Sequence, residues 1–157
     1  MSQKLKYLGT SIVLQEVPDE ITLAINISGC PHRCEGCHSR YLWDYVGDYI
    51  SDDLPLIINK YKDYITCVCF MGGDQNLNEL FELANIVHLY GLKCCLYSGD
   101  DDLQISKVNY FDYVKIGSYR QELGGLSSTQ TNQKMYKKNI QGFFEDITYR
   151  FQRKRIS

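Results

Sequence analysis

The stretch ITLAINISGCPHRCEGC, residues 21–37, joins an alternating apolar segment to a close group of cysteines. An aliphatic set alternates with a small or polar set: Ile21, Leu23, Ile25 and Ile27 against Thr22, Ala24, Asn26 and Ser28. A period of two predicts a β-strand. Its aliphatic face is suited to packing under helices, and its small, polar face is suited to lining a pocket. Gly29 ends the strand, and the cysteines begin at once.

The rest of the chain alternates between helical and strand patterns. The predicted elements are a helix over 51–61, a buried strand over 65–71, a helix over 77–87, a strand over 92–97, a short helix over 101–107, a strand over 110–116, a helix near 132–140 and a strand near 146–151. Asn76 followed by Glu79 predicts a capping box before the second helix. Such alternation indicates parallel βαβ units. A closed eight-stranded barrel needs about 200–250 residues. We therefore expect one α/β domain over residues 1–157, built as an incomplete parallel β/α barrel.

Composition excludes several classes of protein. The 157 residues are 44% apolar and 23% charged, which is typical of a folded domain. With 17 basic and 19 acidic residues the net charge is −2, so we expect no nucleic-acid partner. Apolar runs fall short of the roughly 20 residues that span a bilayer, and the N-terminus lacks a secretory pattern. We expect no membrane association and a cytoplasmic location.

Three of the seven cysteines lie within eight residues, Cys30, Cys34 and Cys37, with C-x3-C-x2-C spacing. Three thiolates on one loop can hold three irons of a four-iron cluster and leave the fourth iron open. An open metal position distinguishes a reactive centre from a sealed structural one. The alternative is a structural Cys3His zinc site that uses His32 or His38. Spacing alone leaves both readings open.

The other polar or glycine-rich segments also follow predicted strands. They are Gly72-Gly73-Asp74, Ser98-Gly99 and Gly117-Ser118. In parallel α/β folds, sites are built at the carboxyl edge of the sheet. Two glycines permit close backbone approach to a ligand, and Asp74 can pair with an ammonium group. A plain strand-ending turn is the alternative for this segment.

The cysteine spacing resembles the signature of the radical S-adenosylmethionine (SAM) superfamily. In that superfamily the open iron chelates the amino and carboxylate groups of SAM. Gly36 stands where an aromatic residue often precedes the third cysteine, which implies backbone contacts to the cofactor around Gly36, Cys37 and His38. Residues 72–74 resemble the Gly-Gly-Glu element that holds the SAM amino group, with Asp74 in place of Glu.

Residues 29–38 with Trp43, together with segments 97–99, 112–119, 123–126 and 131–133, resemble the anaerobic ribonucleoside-triphosphate reductase activating proteins. The resemblance implies a radical SAM oxidoreductase with one 4Fe-4S cluster on Cys30, Cys34 and Cys37. Such an enzyme cleaves SAM reductively to methionine and a 5′-deoxyadenosyl radical, which takes a hydrogen from a glycine of the reductase. The implied partners are that reductase and a low-potential electron donor such as a flavodoxin or ferredoxin.

Several assignments and alternatives remain at this stage. Ser98 and Lys115 are further candidate cofactor contacts; Lys115 would meet the SAM carboxylate or ribose, or else form a structural salt bridge. Segment 118–133 is rich in Gly, Ser and Thr, and we expect a mobile partial cover. We expect the His88 side chain to be solvated. We expect the remaining four cysteines to pack in the core, with ligation of a second iron–sulfur cluster as the alternative; they are Cys67, Cys69, Cys94 and Cys95. The alternative functions are another radical SAM enzyme, either a different glycyl-radical activase or one acting on a small molecule, and a zinc-stabilised binding module without catalysis.

Overall fold

The computed structural model describes residues 3–14, 16–29 and 43–152. Its strands are β1 (Lys6–Leu14), β2 (Ile21–Ile27), β3 (Asp48–Tyr49), β4 (Cys67–Met71), β5 (Lys93–Tyr97), β6 (Tyr113–Ile116), β7 (Lys134–Lys138) and β8 (Phe144–Asp146). Its α-helices are α1 (Ile50–Tyr61) and α2 (Leu77–Leu89), and its 3-10 helices are Asp74–Asn76, Ile105–Val108 and Thr148–Phe151.

The eight strands form one mixed sheet in the order β3-β1-β2-β4-β5-β6-β7-β8. Its four central strands, β2, β4, β5 and β6, are parallel. The outer strands pair antiparallel: β1 with β2 and β3, and β7 with β6 and β8. The predicted α/β class is therefore confirmed, with a parallel centre between antiparallel flanks.

The aliphatic face of β2 packs under helices, as its alternation predicts. Leu23, Ile25 and Ile27 belong to a buried cluster that also contains Leu54 and Ile58 of α1 and, from α2, Leu80, Leu83, Ala84 and Val87. Burying a side chain of this size contributes roughly 1.5–3 kcal/mol relative to leaving it exposed. This cluster fixes β2 and its neighbours, and with them the edge where the strands end.

The opposite face of the sheet carries a second buried cluster, which we call the second-face cluster. It includes Cys67, Cys69 and Cys95 from the central strands, Val17 from the β1–β2 connection and Met135 from β7. Leu126 and Phe151 pack against it from later segments. The connections that follow the central sheet thus fold back over this face.

The sequence prediction is wrong for the end of the chain. Residues 132–140 were expected to be helical, but β7 lies there and pairs in register with β6. Lys, Met and Gln are good helix formers, but tertiary pairing overrides intrinsic propensity. The strand expected near 146–151 lies earlier, as β8, and a 3-10 helix follows it. The helix expected over 101–107 is one 3-10 turn, Ile105–Val108.

Strand β1 has no counterpart in the sequence prediction. Its pairing with β2 shifts register between Tyr7 and Thr10, where Gly9 has a φ of +91°. This bulge breaks the period of two that would have revealed the strand. None of the helices in the described part of the chain is long and apolar enough to cross a membrane.

Candidate functional site

The four parallel strands end at one edge of the sheet. The segments that leave this edge begin at Ser28 after β2, Gly72 after β4, Ser98 after β5 and Gly117 after β6. The candidate residues predicted from the sequence follow these four strands. The strands are neighbours in the sheet, so their carboxyl ends lie together. The edge is therefore the candidate site.

The cysteine loop starts from this edge, and its predicted ligands lie outside the described residues. This holds for Cys30, Cys34 and Cys37, and also for the predicted cofactor contacts Gly36 and His38. The two ends of the loop are described and are bonded to each other. The Gly29 N–H donates to the Asp44 carbonyl at 3.0 Å.

Ser28 ties the base of this loop to its surroundings. Its side chain is buried, and its hydroxyl donates to the Val46 carbonyl and accepts from the Val46 N–H at 3.1 Å. Its own N–H donates to the Lys6 carbonyl at 2.9 Å. Its carbonyl accepts from Gln75 Nε2 at 3.2 Å. One small residue thus joins β1, both ends of the cysteine loop and the segment after β4.

A polar cavity of about 410 Å³ opens beside this base. Gly29, Trp43 and Asp44 line it from the ends of the cysteine loop, and Gln75 lines it from the segment after β4. Two of the sequence-predicted elements therefore border the same space.

The Gly72–Asp74 turn has a backbone that requires glycine. Gly72 and Gly73 have φ values of +102° and +101°, which side chains with a Cβ rarely adopt. A Cβ on Gly73 would also lie 3.0 Å from Leu80 and 3.3 Å from Leu5. The Gly72 N–H donates to the Tyr97 carbonyl at 2.8 Å. The turn is thereby held against β5, and Asp74 is half-buried at the start of a 3-10 helix.

Ser98 lies in the turn after β5 and is buried. Its N–H donates to the Lys115 carbonyl at 2.8 Å, and its hydroxyl accepts from the Asp100 N–H at 3.0 Å. The first bond holds the strand ends of β5 and β6 side by side, and the second lies within the turn after β5. Both predicted contacts, Ser98 and Lys115, therefore belong to one bonded pair of strand ends.

Lys115 lies over an aromatic ring. Its Nζ is 4.2 Å from the ring centroid of Tyr97, its register partner on β5. Such a cation–π contact contributes roughly 0.5–1 kcal/mol at exposed sites and more where water is excluded. The Tyr97 hydroxyl donates to the Glu16 carbonyl, which fixes the ring. The ammonium group is thus placed at the carboxyl edge.

The strand register places three residues beside Lys115 that the sequence pattern did not single out as candidates. Asn26, Met71, Tyr97 and Lys115 lie side by side across the four parallel strands. We call these four the edge row. The row below it, on the same face, is Ala24, Cys69, Cys95 and Tyr113. Each residue of the edge row follows a residue of the lower row by two positions along its strand. This spacing is visible in the sequence, but it identifies a row only once the strands are aligned.

The cysteines outside the loop are buried, as predicted for packing. Cys67, Cys69 and Cys95 lie in the second-face cluster, whereas Cys94 lies in the cluster under the helices. Burial, with further repulsion from neighbouring groups, raises the pKa of Cys67, Cys94 and Cys95. Within residues 3–14, 16–29 and 43–152, no group of three or more His, Cys, Asp or Glu side chains is arranged to hold a metal ion.

The His88 side chain was expected only to be solvated, but it has a partner. Its side chain is exposed, but Nε2 lies 2.9 Å from Asp112 Oδ2. The same carboxylate oxygen accepts from the Cys94 N–H at 2.9 Å. His88 therefore ties the end of α2 to the start of β5, away from the carboxyl edge.

Comparison with known proteins defines the class of this site. The sequence profile of the 4Fe-4S single cluster domain family matches residues 21–139, from the first residue of β2 to the residue after β7. The chain belongs to this family. The match spans the whole cysteine loop and all four parallel strands.

A particular relative is the anaerobic ribonucleoside-triphosphate reductase-activating protein of Enterobacteria phage T4. It is 28% identical over 109 residues, which cover 62% of this chain and 70% of the relative. No solved structure matches the chain. The resemblance inferred from the sequence is thus confirmed by an independent comparison.

Proposed function

We propose that this protein is an iron–sulfur activase that uses SAM to install a glycyl radical on an anaerobic ribonucleoside-triphosphate reductase. The observation that supports it is the family match, because it covers the three-cysteine loop together with the sheet edge from which the loop starts. The similarity to the phage T4 activating protein supports the reductase as the partner. A low-potential flavodoxin or ferredoxin is the proposed electron donor.

The donor set of the chain fits a four-iron cluster with one open iron. Iron–sulfur clusters are held by thiolates. Cys67, Cys94 and Cys95 are poor donors because burial disfavours their ionised form. Cys69 is completely buried in the same cluster as Cys67 and Cys95, which favours a packing role. Cys30, Cys34 and Cys37 are therefore the proposed ligands. With SAM bound, the reduced cluster would supply one electron, and cleavage of the C–S bond of SAM would give methionine and a 5′-deoxyadenosyl radical.

The residues of the edge have separate proposed roles. Asp74 pairs with the SAM ammonium group, and the Lys115 ammonium meets its carboxylate or ribose. The Gly72-Gly73 backbone and the polar turn at Ser98 line the site, with Gly36, Cys37 and His38 completing it from the cysteine loop. The second-face cluster keeps water from the strand ends. A dry site is required because a primary carbon radical reacts with almost any hydrogen donor within reach. We propose that the sheet is a partial barrel whose concave side carries the edge row.

Substitution of single cysteines tests the cluster assignment. Cys34→Ser should lose most of the iron and all SAM cleavage, because a ligand is removed. Cys67→Ala is the matched control, since Cys67 is buried in the core, and it should retain about four irons per chain. Iron and sulfide analysis after anaerobic reconstitution, with chromatography of 5′-deoxyadenosine, gives both readouts. A Cys34→Ser protein with full iron would exclude the assignment.

Electron paramagnetic resonance tests the partner. A mixture of reduced protein, SAM and reductase should give a doublet from a backbone glycine radical on the reductase. The signal should vanish when the target glycine is changed to alanine. Rapid turnover of a small molecule without any glycyl signal would favour the other radical SAM readings, and a colourless protein with one zinc would favour the binding module.

A further inference from the structure

The turns that follow β5 and β6 are joined by one carboxylate, Asp101. Its Oδ1 accepts from the Ser118 N–H at 3.1 Å and from Asn132 Nδ2 at 2.8 Å. Its Oδ2 accepts from the Ser118 hydroxyl at 2.9 Å and from Arg120 Nη2 at 3.2 Å. Asp101 therefore binds both the beginning and the end of segment 118–133.

Segment 118–133 makes further hydrogen bonds, both within itself and to Gln152. The Gly124 N–H donates to the Arg120 carbonyl at 2.8 Å, and the Thr131 hydroxyl donates to the Gly124 carbonyl at 3.0 Å. Gln152 Nε2 donates to the Ser128 carbonyl at 2.9 Å. Leu126 packs on the second-face cluster. The segment has its own internal bonds and a contact with the core.

The segment stands at one end of the candidate site. It follows β6, the central strand farthest from β2 and the cysteine loop. A Cβ on Gly117 would lie 3.1 Å from the Gln133 Cα and 3.3 Å from the Asn132 carbonyl oxygen. The end of segment 118–133 thus lies against the turn that begins two residues after Lys115.

The charge of Asp101 matters for this arrangement. Partial burial would raise its pKa, but the bonds from Ser118, Asn132 and Arg120 prevail and lower it. The group is therefore an ionised, acceptor-only carboxylate at neutral pH, and such hydrogen bonds are stronger than neutral ones. An asparagine has the same shape but presents an N–H₂ group to donors on one side.

We propose that Asp101 is a positioning residue that latches segment 118–133 as a built-in wall at the β6 end of the SAM site. This inference rests on the proposed function. The wall excludes water and stray hydrogen donors from that end of the site. A partner's glycine loop then enters beside this wall, and the partner supplies only the remaining cover.

Hydrogen–deuterium exchange tests the latch without any cofactor chemistry. Asp101→Asn should speed exchange of the bonded amides of segment 118–133 by about tenfold or more, because the segment opens locally more often. Asp102→Asn is the matched control: it removes the same charge one residue away and leaves the four bonds of Asp101 in place. Exchange in β4 and β5 should be equal in all three proteins. Equal protection of segment 118–133 in both variants would overturn the latch.

The amount of 5′-deoxyadenosine formed per glycyl radical, which we call the coupling ratio, tests the positioning role of Asp101. With reductase and reductant present, Asp101→Asn should form several times more 5′-deoxyadenosine per glycyl radical than Asp102→Asn, at equal iron content. If Asp101→Asn speeds hydrogen–deuterium exchange in segment 118–133 but leaves the coupling ratio unchanged, the proposal that the segment shields the site is wrong. If Asp101→Asn does not fold, Asn132→Ala removes one of the four donors and should shift both readouts in the same direction; no shift would again overturn the proposal. Absence of SAM cleavage in the unmodified protein would instead defeat the proposed function and leave the exchange result standing.

Discussion

Ser28 holds the two ends of the cysteine loop together, although it is not itself a proposed cluster ligand. Its buried hydroxyl satisfies both the N–H and the carbonyl of Val46, at the far end of the cysteine loop. Ser28→Ala should cost about 1–3 kcal/mol, because the Val46 groups lose their partner. At roughly 2–4 °C per kcal/mol for a chain of this size, thermal unfolding should reveal the loss. Ser11→Ala, on the exposed part of β1, is the control. Equal melting temperatures for the two variants would show that Ser28 does not hold the loop.

Asp74 is the residue proposed to pair with the ammonium group of SAM. Asp74→Ala should weaken SAM binding about tenfold to a hundredfold, because a hydrogen bond between charged groups contributes roughly 1.5–3 kcal/mol. Iron content should stay normal, since the change lies outside the cysteine loop. Titration of the reconstituted protein with SAM measures the affinity, with Asp63→Ala after α1 as the control. Unchanged affinity would reduce the Gly72–Asp74 turn to a structural element.

At the scale of elements, the sequence predicted what has a strong period or a short-range signal. The parallel strands, α1, α2 and the Asn76 cap were predicted; the Asn76 side chain accepts from the Glu79 N–H at 3.2 Å. The second half of the expected box is absent, because the Glu79 carboxylate accepts from the Leu5 N–H instead. β1 was missed because its bulge hides the alternation, and β7 because its pairing with β6 is long-range. The turns at the candidate site and Lys115 were predicted, whereas Asn26, Met71 and Tyr97 of the edge row required the register of the strands.

The assignment of β7 as a strand has a direct test. Lys134 is exposed and its neighbour Met135 is completely buried in the second-face cluster. Met135→Ala should cost about 2–5 kcal/mol, because it removes a large core side chain. Lys134→Ala should cost at most about 1 kcal/mol, because its ion pair with Asp146 is exposed. Chemical denaturation of both variants gives the comparison, and equal costs would contradict the alternating burial of a strand.

At the scale of the whole molecule, the buried cysteines couple the stability of the fold to pH. Cys67, Cys94 and Cys95 have raised pKa values, chiefly because burial disfavours the thiolate. In the unfolded chain the same thiols ionise near pH 8.5. Above that pH the folded chain binds more protons than the unfolded chain, so the free energy of unfolding falls as pH rises. The stability from these thiols is complete below pH 8.5 and is lost on the alkaline side.

Removal of one buried thiol tests this linkage. Each thiol that is protonated when folded and ionised when unfolded contributes a slope of about 1.4 kcal/mol per pH unit. Cys94→Ala should therefore be less stable at pH 7, because a small cavity forms, but should lose stability more slowly between pH 9 and pH 10, by about that amount per unit. Urea denaturation of both proteins under anaerobic, reducing conditions measures the two slopes. The three loop cysteines are common to both proteins and cancel in the difference. Parallel curves would mean that Cys94 ionises equally easily in the folded and unfolded chains, and would contradict the raised pKa that its complete burial predicts.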